Sequence, residues 1–213
     1  MRFLYDENAG NTHFELAGDG FLHLKAQRKK INELIKVQNL HDNIAYFYEI
    51  MEFKRNFALL ELREKKELNP QNFTSQIGWA VCDSSVIEKT LPFLNELGLG
   101  KLVLFYSDFS QHNIKLDFGR FERILKNSCQ QCGRYEMMKI SLLELYELEN
   151  CVRLDFKGDD FSTLSSDELL IVGPEGGFSQ SEREKIKRSV GLKCQNILRS
   201  QTAIISALAK ILA

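Results

Sequence analysis

The feature that most constrains this fold is the alternation of apolar strand patterns with helical patterns after residue 73. Each apolar run, such as "IGWAVC", has the length of a buried strand, and the segments between the runs repeat apolar residues at helical spacing. Strands that alternate with crossover helices form a parallel sheet. The sequence therefore predicts an α/β domain with a mostly parallel sheet over residues 73–213.

The elements of this domain can be assigned one by one from the same patterns. The predicted strands are "IGWAVC", "KLVLFYS" and "LLIVG", with "CQNILRS" as a strand or turn. The predicted helices are "SSVIEKTLPFLNELGL" with its C-cap at Gly98, "FGRFERILKNSCQQCGR" ending near Gly133, "SQSEREKIKRSVG", and "TAIISALAKILA".

Residues 1–68 have a different character. They contain short segments rich in β-branched and aromatic residues, separated by turn residues, and one short helical segment: "ELIKVQNL", "IAYFYEIMEF", "FALLELRE" and the helix "DGFLHLKAQ". The polar stretch around Pro70 has neither helical nor strand periodicity and is the best candidate linker. We therefore expect a small β domain before the α/β domain.

Composition limits the partners and the compartment. The net charge of −1 gives no sign of a polyanion partner, so any nucleic-acid contact must come from a local patch or a paired subunit. The five cysteines are an odd number, which favours reduced thiols in the cytoplasm. No apolar run approaches the roughly 20 residues of a membrane span, and the N-terminus lacks the pattern of a signal peptide.

The stretch "VGPEGGF" at residues 172–178 follows a buried strand and precedes a charged helix. Its glycines permit positive φ and close approach of a ligand to the backbone, and Ser179 with Glu182 forms a capping-box pattern. It lacks the Gly-Lys-Ser/Thr of a phosphate-binding loop and the G-x-G-x-x-G of a dinucleotide fold. On these residues alone, a ligand cradle and an ordinary strand-to-helix loop are equally good interpretations.

A second stretch, "NILRSQTAIISALAKIL" at residues 196–212, favours a ligand site. The start of its helix would present free N–H groups, which suit an acceptor or an anion. The apolar stripe that packs this helix consists of Ile204, Ile205, Leu208, Ile211 and Leu212.

Together, "IVGPEGGFSQSE" and "ILRSQTA" resemble the RsmE family of SPOUT-superfamily methyltransferases, which methylate N3 of a uridine in 16S ribosomal RNA. The first block matches the family pattern throughout, whereas Gln201 replaces the usual glutamate in the second. Weaker matches in the expected order include "NELGL", "ERILKNSCQQCGR" and "HLKAQRKKINE". The resemblance covers nearly the whole chain and is strongest over residues 170–203.

The resemblance implies a SPOUT domain with a deep trefoil knot, preceded by a PUA-like β-barrel that helps to bind RNA. It implies a homodimer with active sites at the subunit interface, acting on 16S ribosomal RNA or the assembled small subunit. It also implies that S-adenosylmethionine lies in the knot, against three loops: the end of "KLVLF" near Leu104 to Ser107, "VGPEGG" and "NILRSQTA". The cofactor residues implied are Leu104, Phe105, Val172, Gly173, Pro174, Gly176, Gly177, Ile197, Leu198, Arg199, Thr202 and Ala203.

The chain departs from the family pattern mainly at basic positions. "CDSS" at residues 82–85 replaces a basic segment, and Phe93 and Phe109 stand where the family usually has Lys and Arg. Basic residues usually contact RNA phosphates. The alternatives are therefore a knotted RNA-binding protein with impaired catalysis, or a SPOUT methyltransferase that acts on another RNA.

Methyl transfer from a sulfonium is an in-line displacement, so the enzyme mainly aligns the nucleophile with the methyl group. When uracil N3 loses its proton, negative charge spreads onto the oxygens, and a guanidinium can stabilise it. Arg199 and Arg134 are the candidates for that role, and either Glu175 or water is the candidate base. The cysteine pair at 129 and 132 has no second pair to complete four ligands, so no metal site is expected. The best RNA-contact cluster is Lys25, Arg28, Lys29 and Lys30.

Overall fold

The computed structural model describes residues 2–212 and divides the chain into two compact units. The first comprises residues up to Gln71 together with Lys126–Met137, and the second comprises Asn72–Leu125 and Met138 onward. The later segment is tied to the first strand, because the Tyr5 N–H donates to Gln130 Oε1 at 2.9 Å.

In the described part of the N-terminal unit, five strands form one sheet in the order β1-β3-β4-β5-β2. Its elements are β1 Leu4–Tyr5, β2 His13–Ala17, α1 Gly18–Ala26, β3 Leu34–Gln38, β4 Ile44–Phe53 and β5 Phe57–Glu67. All neighbours pair antiparallel except β1 and β3. The three strands and the short helix predicted for residues 1–68 are all present, and the mostly antiparallel sheet fits a barrel-like domain.

In the C-terminal unit, the strands within residues 72–212 form a six-stranded sheet in the order β11-β9-β10-β6-β7-β8. Its strands are β6 Gln76–Ala80, β7 Lys101–Tyr106, β8 Lys139–Glu144, β9 Cys151–Asp160, β10 Leu169–Val172 and β11 Ser189–Gly191. Every neighbouring pair is parallel. The predicted α/β domain with a mostly parallel sheet is therefore confirmed.

Four helices accompany these strands in the described chain: α2 Ser84–Glu96, α3 Phe118–Cys132, α4 Gln180–Lys185 and α5 Ser200–Ile211. Gly98 and Gly133 follow α2 and α3 with φ of +90° and +89°, so each supplies the left-handed residue that ends a helix. In the stripe of α5, Ile204 and Leu208 are fully buried, whereas Leu212 is half exposed.

The structure corrects the prediction for residues 179–191. The helix predicted over "SQSEREKIKRSVG" stops at Lys185, and residues 189–191 form β11 instead. Val190 is fully buried and pairs with β9, so long-range pairing overrides the local helical pattern. The sequence patterns do not predict strands β8 and β9, and "CQNILRS" is irregular up to Ser200, where α5 begins. The last predicted helix included Ala213, which lies outside the described residues.

The core of the C-terminal unit lies on both faces of the sheet, as expected for parallel strands covered by helices. Trp79, Leu104 and Phe105 are each fully buried, and Phe105 packs with Ile171 and Phe178 beside the end of β10. Across residues 2–212, no helix combines the length and the apolar character needed to cross a membrane.

Candidate active site

The turn after β10 needs glycine at specific positions. A Cβ on Gly173 would lie 3.2 Å from the Gly177 carbonyl carbon and 3.2 Å from the Phe178 ring, closer than side chains normally approach. Gly177 has φ of +71°, and its N–H donates to the Pro174 carbonyl at 2.9 Å. The turn is therefore tight, and its glycines bring the backbone itself to the surface of the loop.

This turn forms one wall of a cavity of about 350 Å³, a volume within the roughly 300–1,000 Å³ range of small-molecule sites. The other walls come from β9 and from the segment leading into α5. The lining residues are Leu154, Asp155, Phe156, Val172, Gly173, Pro174, Glu175, Gly176, Gly177, Phe178, Arg183, Leu192, Lys193, Cys194, Asn196, Ile197, Leu198, Ser200 and Ala203.

Two of the three predicted loops line the cavity. The predicted cofactor residues that line the cavity are Val172, Gly173, Pro174, Gly176, Gly177, Ile197, Leu198 and Ala203, and the candidate base Glu175 lines it too. Leu104 and Phe105 are buried inside β7, whereas Arg199 and Thr202 are exposed, and none of these four lines the cavity.

A buried hydrogen-bond chain holds the two cavity loops in register. The Trp79 indole Nε1–H donates to Ser200 Oγ at 2.7 Å, and that hydroxyl donates to the Gly173 carbonyl at 2.6 Å. Trp79 lies in β6, Gly173 begins the turn after β10, and Ser200 is the first residue of α5. The chain therefore connects three elements that are far apart in sequence.

A second support lies between the turn and the loop after β7. The Glu182 carboxylate is buried, with Oε2 accepting from the Ser179 N–H at 2.7 Å and Oε1 from the Asp108 N–H at 2.9 Å. Ser179 and Glu182 form the capping box that starts α4, as the sequence predicts. Glu182 thus caps its own helix and fixes a distant loop with one side chain.

Charged side chains form a compact group at the β9 wall. Arg153 is buried and donates from Nη1 to Asp155 Oδ2 at 2.7 Å, while Arg183 bonds the same carboxylate oxygen. Burial tends to raise the pKa of Asp155, but the charge of Arg183, with that of Arg153, outweighs burial and lowers the pKa below its usual value. Asp155 therefore carries its charge at the cavity wall at neutral pH.

The three candidate catalytic residues have different surroundings. Arg199 is exposed at the N-cap of α5, and Glu175 is exposed in the turn. Burial, with the nearby Glu175 charge, raises the pKa of the Cys82 thiol to about 12, so Cys82 stays protonated. Arg134 belongs to the N-terminal unit, where it is buried and its Nε donates to the Glu136 carbonyl. Burial lowers the pKa of the Arg134 guanidinium.

The predicted RNA-contact cluster lies at the end of α1. Lys25, Arg28 and Lys30 are exposed, whereas Lys29 is half-buried and pairs with Glu33 at 3.0 Å.

The cysteine pair at 129 and 132 lies in the last turns of α3, with the Cys129 thiol buried and the Cys132 thiol exposed. Residues 2–212 contain no group of three or more His, Cys, Asp or Glu side chains arranged to hold a metal ion.

Several site residues were missed in the sequence. Asp155 and Phe156 lie in β9, whose outer part alternates charged residues with apolar ones and lacks a long apolar run. Local sequence patterns do not pair Trp79 with Ser200, because the two residues lie more than a hundred positions apart. The polar serine directly before the apolar stripe of α5 was the one local signal available.

The chain matches a family model described as an RNA methyltransferase domain over residues 69–212. It is 35% identical over 218 residues to the ribosomal RNA small subunit methyltransferase E of Helicobacter pylori, with 96% of each chain covered. It is 25% identical over 224 residues to the protein of the same name from Rickettsia conorii, covering 95% of this chain and 91% of that one.

Solved structures show the same fold. The ribosomal RNA small subunit methyltransferase E from Neisseria gonorrhoeae, bound to S-adenosyl methionine, superposes with a TM-score of 0.81 at 18% identity, covering 99% of this chain and 96% of that one. A probable rRNA methyltransferase from Porphyromonas gingivalis gives 0.82 at 21% identity, covering 99% and 97%. By its family model and its 35% identical relative, this chain belongs to the RNA methyltransferase family of the ribosomal RNA small subunit methyltransferase E proteins.

Proposed function

We propose that this chain transfers a methyl group from S-adenosylmethionine to the 16S ribosomal RNA of the small subunit. Its relatives are ribosomal RNA small subunit methyltransferases, and a structure with the same fold carries S-adenosyl methionine. The observation that carries the proposal in this chain is the cavity enclosed by the glycine turn and the loop before α5. The two motifs of the resemblance meet at this cavity, and neither of them contains a phosphate-binding signature.

The residues around the cavity fit S-adenosylmethionine. Apolar side chains such as Leu154, Leu192 and Leu198 offer a surface for the adenine, and the glycine turn offers backbone groups for its polar edge. The Glu175 carboxylate lies on the lining and complements a cofactor with a positively charged sulfonium, whereas Asp155 is already paired with Arg153 and Arg183. A Cβ on Gly173 would lie 3.2 Å from the Gly177 backbone and force the turn to shift, so glycine lets the backbone itself form the wall.

When bound, S-adenosylmethionine supplies an electrophilic methyl group on its sulfonium. The task left to the protein is to align the attacking nitrogen and to stabilise charge on the base. Arg199 is exposed at the start of α5 and is the candidate for stabilising that charge. Glu175, or water, is the candidate for taking the proton, and Arg134 stays a prediction for a catalytic role.

Five finer features complete the proposal: four follow from the resemblance, and the cytoplasmic location follows from the odd number of cysteines. The target atom is N3 of a uridine, the C-terminal domain over residues 73–213 is knotted, and residues 1–68 form a PUA-like domain that contacts RNA through Lys25, Arg28, Lys29 and Lys30. The protein acts in the cytoplasm as a homodimer. The antiparallel sheet of the N-terminal unit supports the barrel-like domain, and light scattering of the purified protein tests the dimer.

The decisive experiment is mass spectrometry of 16S ribosomal RNA from cells that lack the gene. We expect 3-methyluridine to be absent and to return when the gene is supplied, but not when its Gly173→Ala variant is supplied. An unchanged level of 3-methyluridine would contradict the uridine assignment. Calorimetry with S-adenosylmethionine separates the alternatives, because a chain that binds the cofactor yet leaves every RNA nucleoside unchanged is the impaired RNA-binding protein.

A further inference from the structure

The loop after β7 is held rigidly beside the glycine turn. Within it, the Ser107 N–H donates to Ser110 Oγ at 3.0 Å. Across to α4, the Asp108 N–H donates to Glu182 at 2.9 Å, and the Asp108 carboxylate accepts from the hydroxyls of Ser179 and Ser181. The loop is therefore fixed at both its backbone and its side chains.

This rigid loop presents an aromatic ring to solvent. Phe109 lies at its tip with 54% of its surface exposed. Its Cβ and ring carbons lie 3.2 to 3.3 Å from the point where a Cβ on Gly176 would stand, so one side of Phe109 rests on the glycine turn. Close by in sequence, the rings of Tyr106 and His112 are stacked with centroids 5.2 Å apart. The loop thus holds its exposed ring against the turn that lines the cavity.

We propose that Phe109 is a stacking platform for a base of the RNA at the methylation site, an inference that rests on the proposed function. An exposed aromatic ring fixed by its surroundings can stack on a base without an ordering cost. The Phe109 ring carries no charge, so it offers RNA a surface for stacking on a base and no contact for a phosphate. Where the related pattern has an arginine, this chain therefore contacts RNA by stacking.

The test measures RNA affinity, so that it does not depend on catalysis. Small ribosomal subunits from cells that lack the gene are titrated with the full protein in the presence of S-adenosylhomocysteine. Phe109→Leu keeps apolar volume against Gly176 but removes the aromatic face, and we expect it to raise the Kd for subunits roughly 5- to 100-fold. Phe109→Trp keeps the ring and should bind within about twofold of the wild type. Phe118→Leu, which changes another exposed phenylalanine, is the control and should bind like the wild type.

Salt dependence identifies the kind of contact. Loss of a stack should leave the slope of log Kd against log salt concentration unchanged, whereas a phosphate contact changes it by about one. If Phe109→Leu binds subunits like the wild type, or if it loses affinity with a slope that changes by about one, the platform is refuted.

Cofactor affinity separates a role of Phe109 in RNA stacking from a role in supporting the glycine turn. The Kd for S-adenosylmethionine, measured by calorimetry, should stay within about twofold of the wild-type value in the Leu and Trp variants, because Phe109 does not line the cavity. A loss of cofactor affinity equal to the loss of RNA affinity would overturn the proposal, since Phe109 would then act by supporting the turn. Failure of the proposed function is distinct, because it would appear as an inactive wild-type protein.

Discussion

The indole of Trp79 donates a hydrogen bond to the hydroxyl of Ser200 at 2.7 Å, and both groups are buried. Because the Ser200 hydroxyl in turn donates a hydrogen bond to the Gly173 carbonyl, this contact sets the distance between the glycine turn and the start of α5. The shape of the cavity thus depends on a tryptophan that does not line it.

Replacing the Ser200 hydroxyl tests the chain of hydrogen bonds from Trp79 to Gly173. Ser200→Ala leaves the Trp79 N–H and the Gly173 carbonyl buried without a partner, and we expect a loss of about 2 kcal/mol in the free energy of unfolding. Trp79 is the single tryptophan, so urea unfolding followed by its fluorescence reports on the C-terminal unit. Ser206→Ala, on the same helix, should change stability by less than about 0.5 kcal/mol. Equal effects of the two substitutions would contradict the assigned role.

The two hydrogen bonds that the Glu182 carboxylate accepts can be weakened by a substitution that keeps the size of the side chain. Glu182→Gln keeps one acceptor but turns an NH₂ group toward a backbone N–H, so we expect a loss of about 2 kcal/mol, as for hydrogen bonds to charged groups. Glu184→Gln, an exposed change on the same helix, should cost less than about 0.5 kcal/mol. Wild-type stability of Glu182→Gln would show that the loop is fixed by other contacts.

A single methyl group tests the tight turn. Gly173→Ala places a Cβ 3.2 Å from backbone of the same turn, which must shift, and we expect the Kd for S-adenosylmethionine to rise at least about tenfold. The control is Gly119→Ala, whose Cβ would meet only Asp117 at 3.4 Å. Calorimetry on both variants gives the comparison, and unchanged affinity in Gly173→Ala would place the cofactor elsewhere.

Cysteine labelling locates the cofactor without any substitution. Cys194 lines the cavity and Cys132 is exposed, so iodoacetamide should label both in the free protein. S-adenosylhomocysteine at about ten times its Kd should slow labelling of Cys194 by roughly tenfold and leave Cys132 unaffected. Buried Cys82, with its pKa raised to about 12, should react only on unfolding. Peptide mass spectrometry reads all three, and unprotected Cys194 would argue against the cavity.

The Asp155 cluster predicts a pH dependence with a definite sign. The pKa of Asp155 is lowered in the folded protein, so its stabilising effect is complete above the unfolded value of about 3.9 and is lost as pH falls through the folded pKa. Asp155→Asn should therefore melt at a lower temperature than the wild type at neutral pH, and the difference should shrink under acid conditions. At neutral pH, the exposed Asp159→Asn should lower the melting temperature less than Asp155→Asn does.

The strands that the sequence predicts are those whose burial is visible locally. β10 is a short run of apolar residues in the middle of the sheet, and β6 and β7 share that character, so composition alone identifies them. β8 lies at a sheet edge with alternating exposure, and β11 has three residues whose strand form comes from pairing with β9. Such elements depend on partners that no local window contains.

The same distinction holds in the site. Gly173 and Glu182 were accessible from the sequence, because a tight turn and a capping box are built from neighbouring residues. Asp155 reaches the cavity only because β9 pairs with β10, and Trp79 matters only because Ser200 lies against it. The motif resemblance predicts the two cavity loops, and the structure adds the residues that tie them together.

The place of β10 in the sheet has a consequence for how the chain is made. Leu170 pairs with Ile77 on one side and Val152 on the other, so the strand that joins the two halves of the sheet is among the last to be synthesised. In a nascent chain that ends before β10, the edges of β6 and β9 that pair with β10 are exposed, and the cavity is absent. Contacts so distant in sequence form slowly, which makes the nascent protein dependent on its final third.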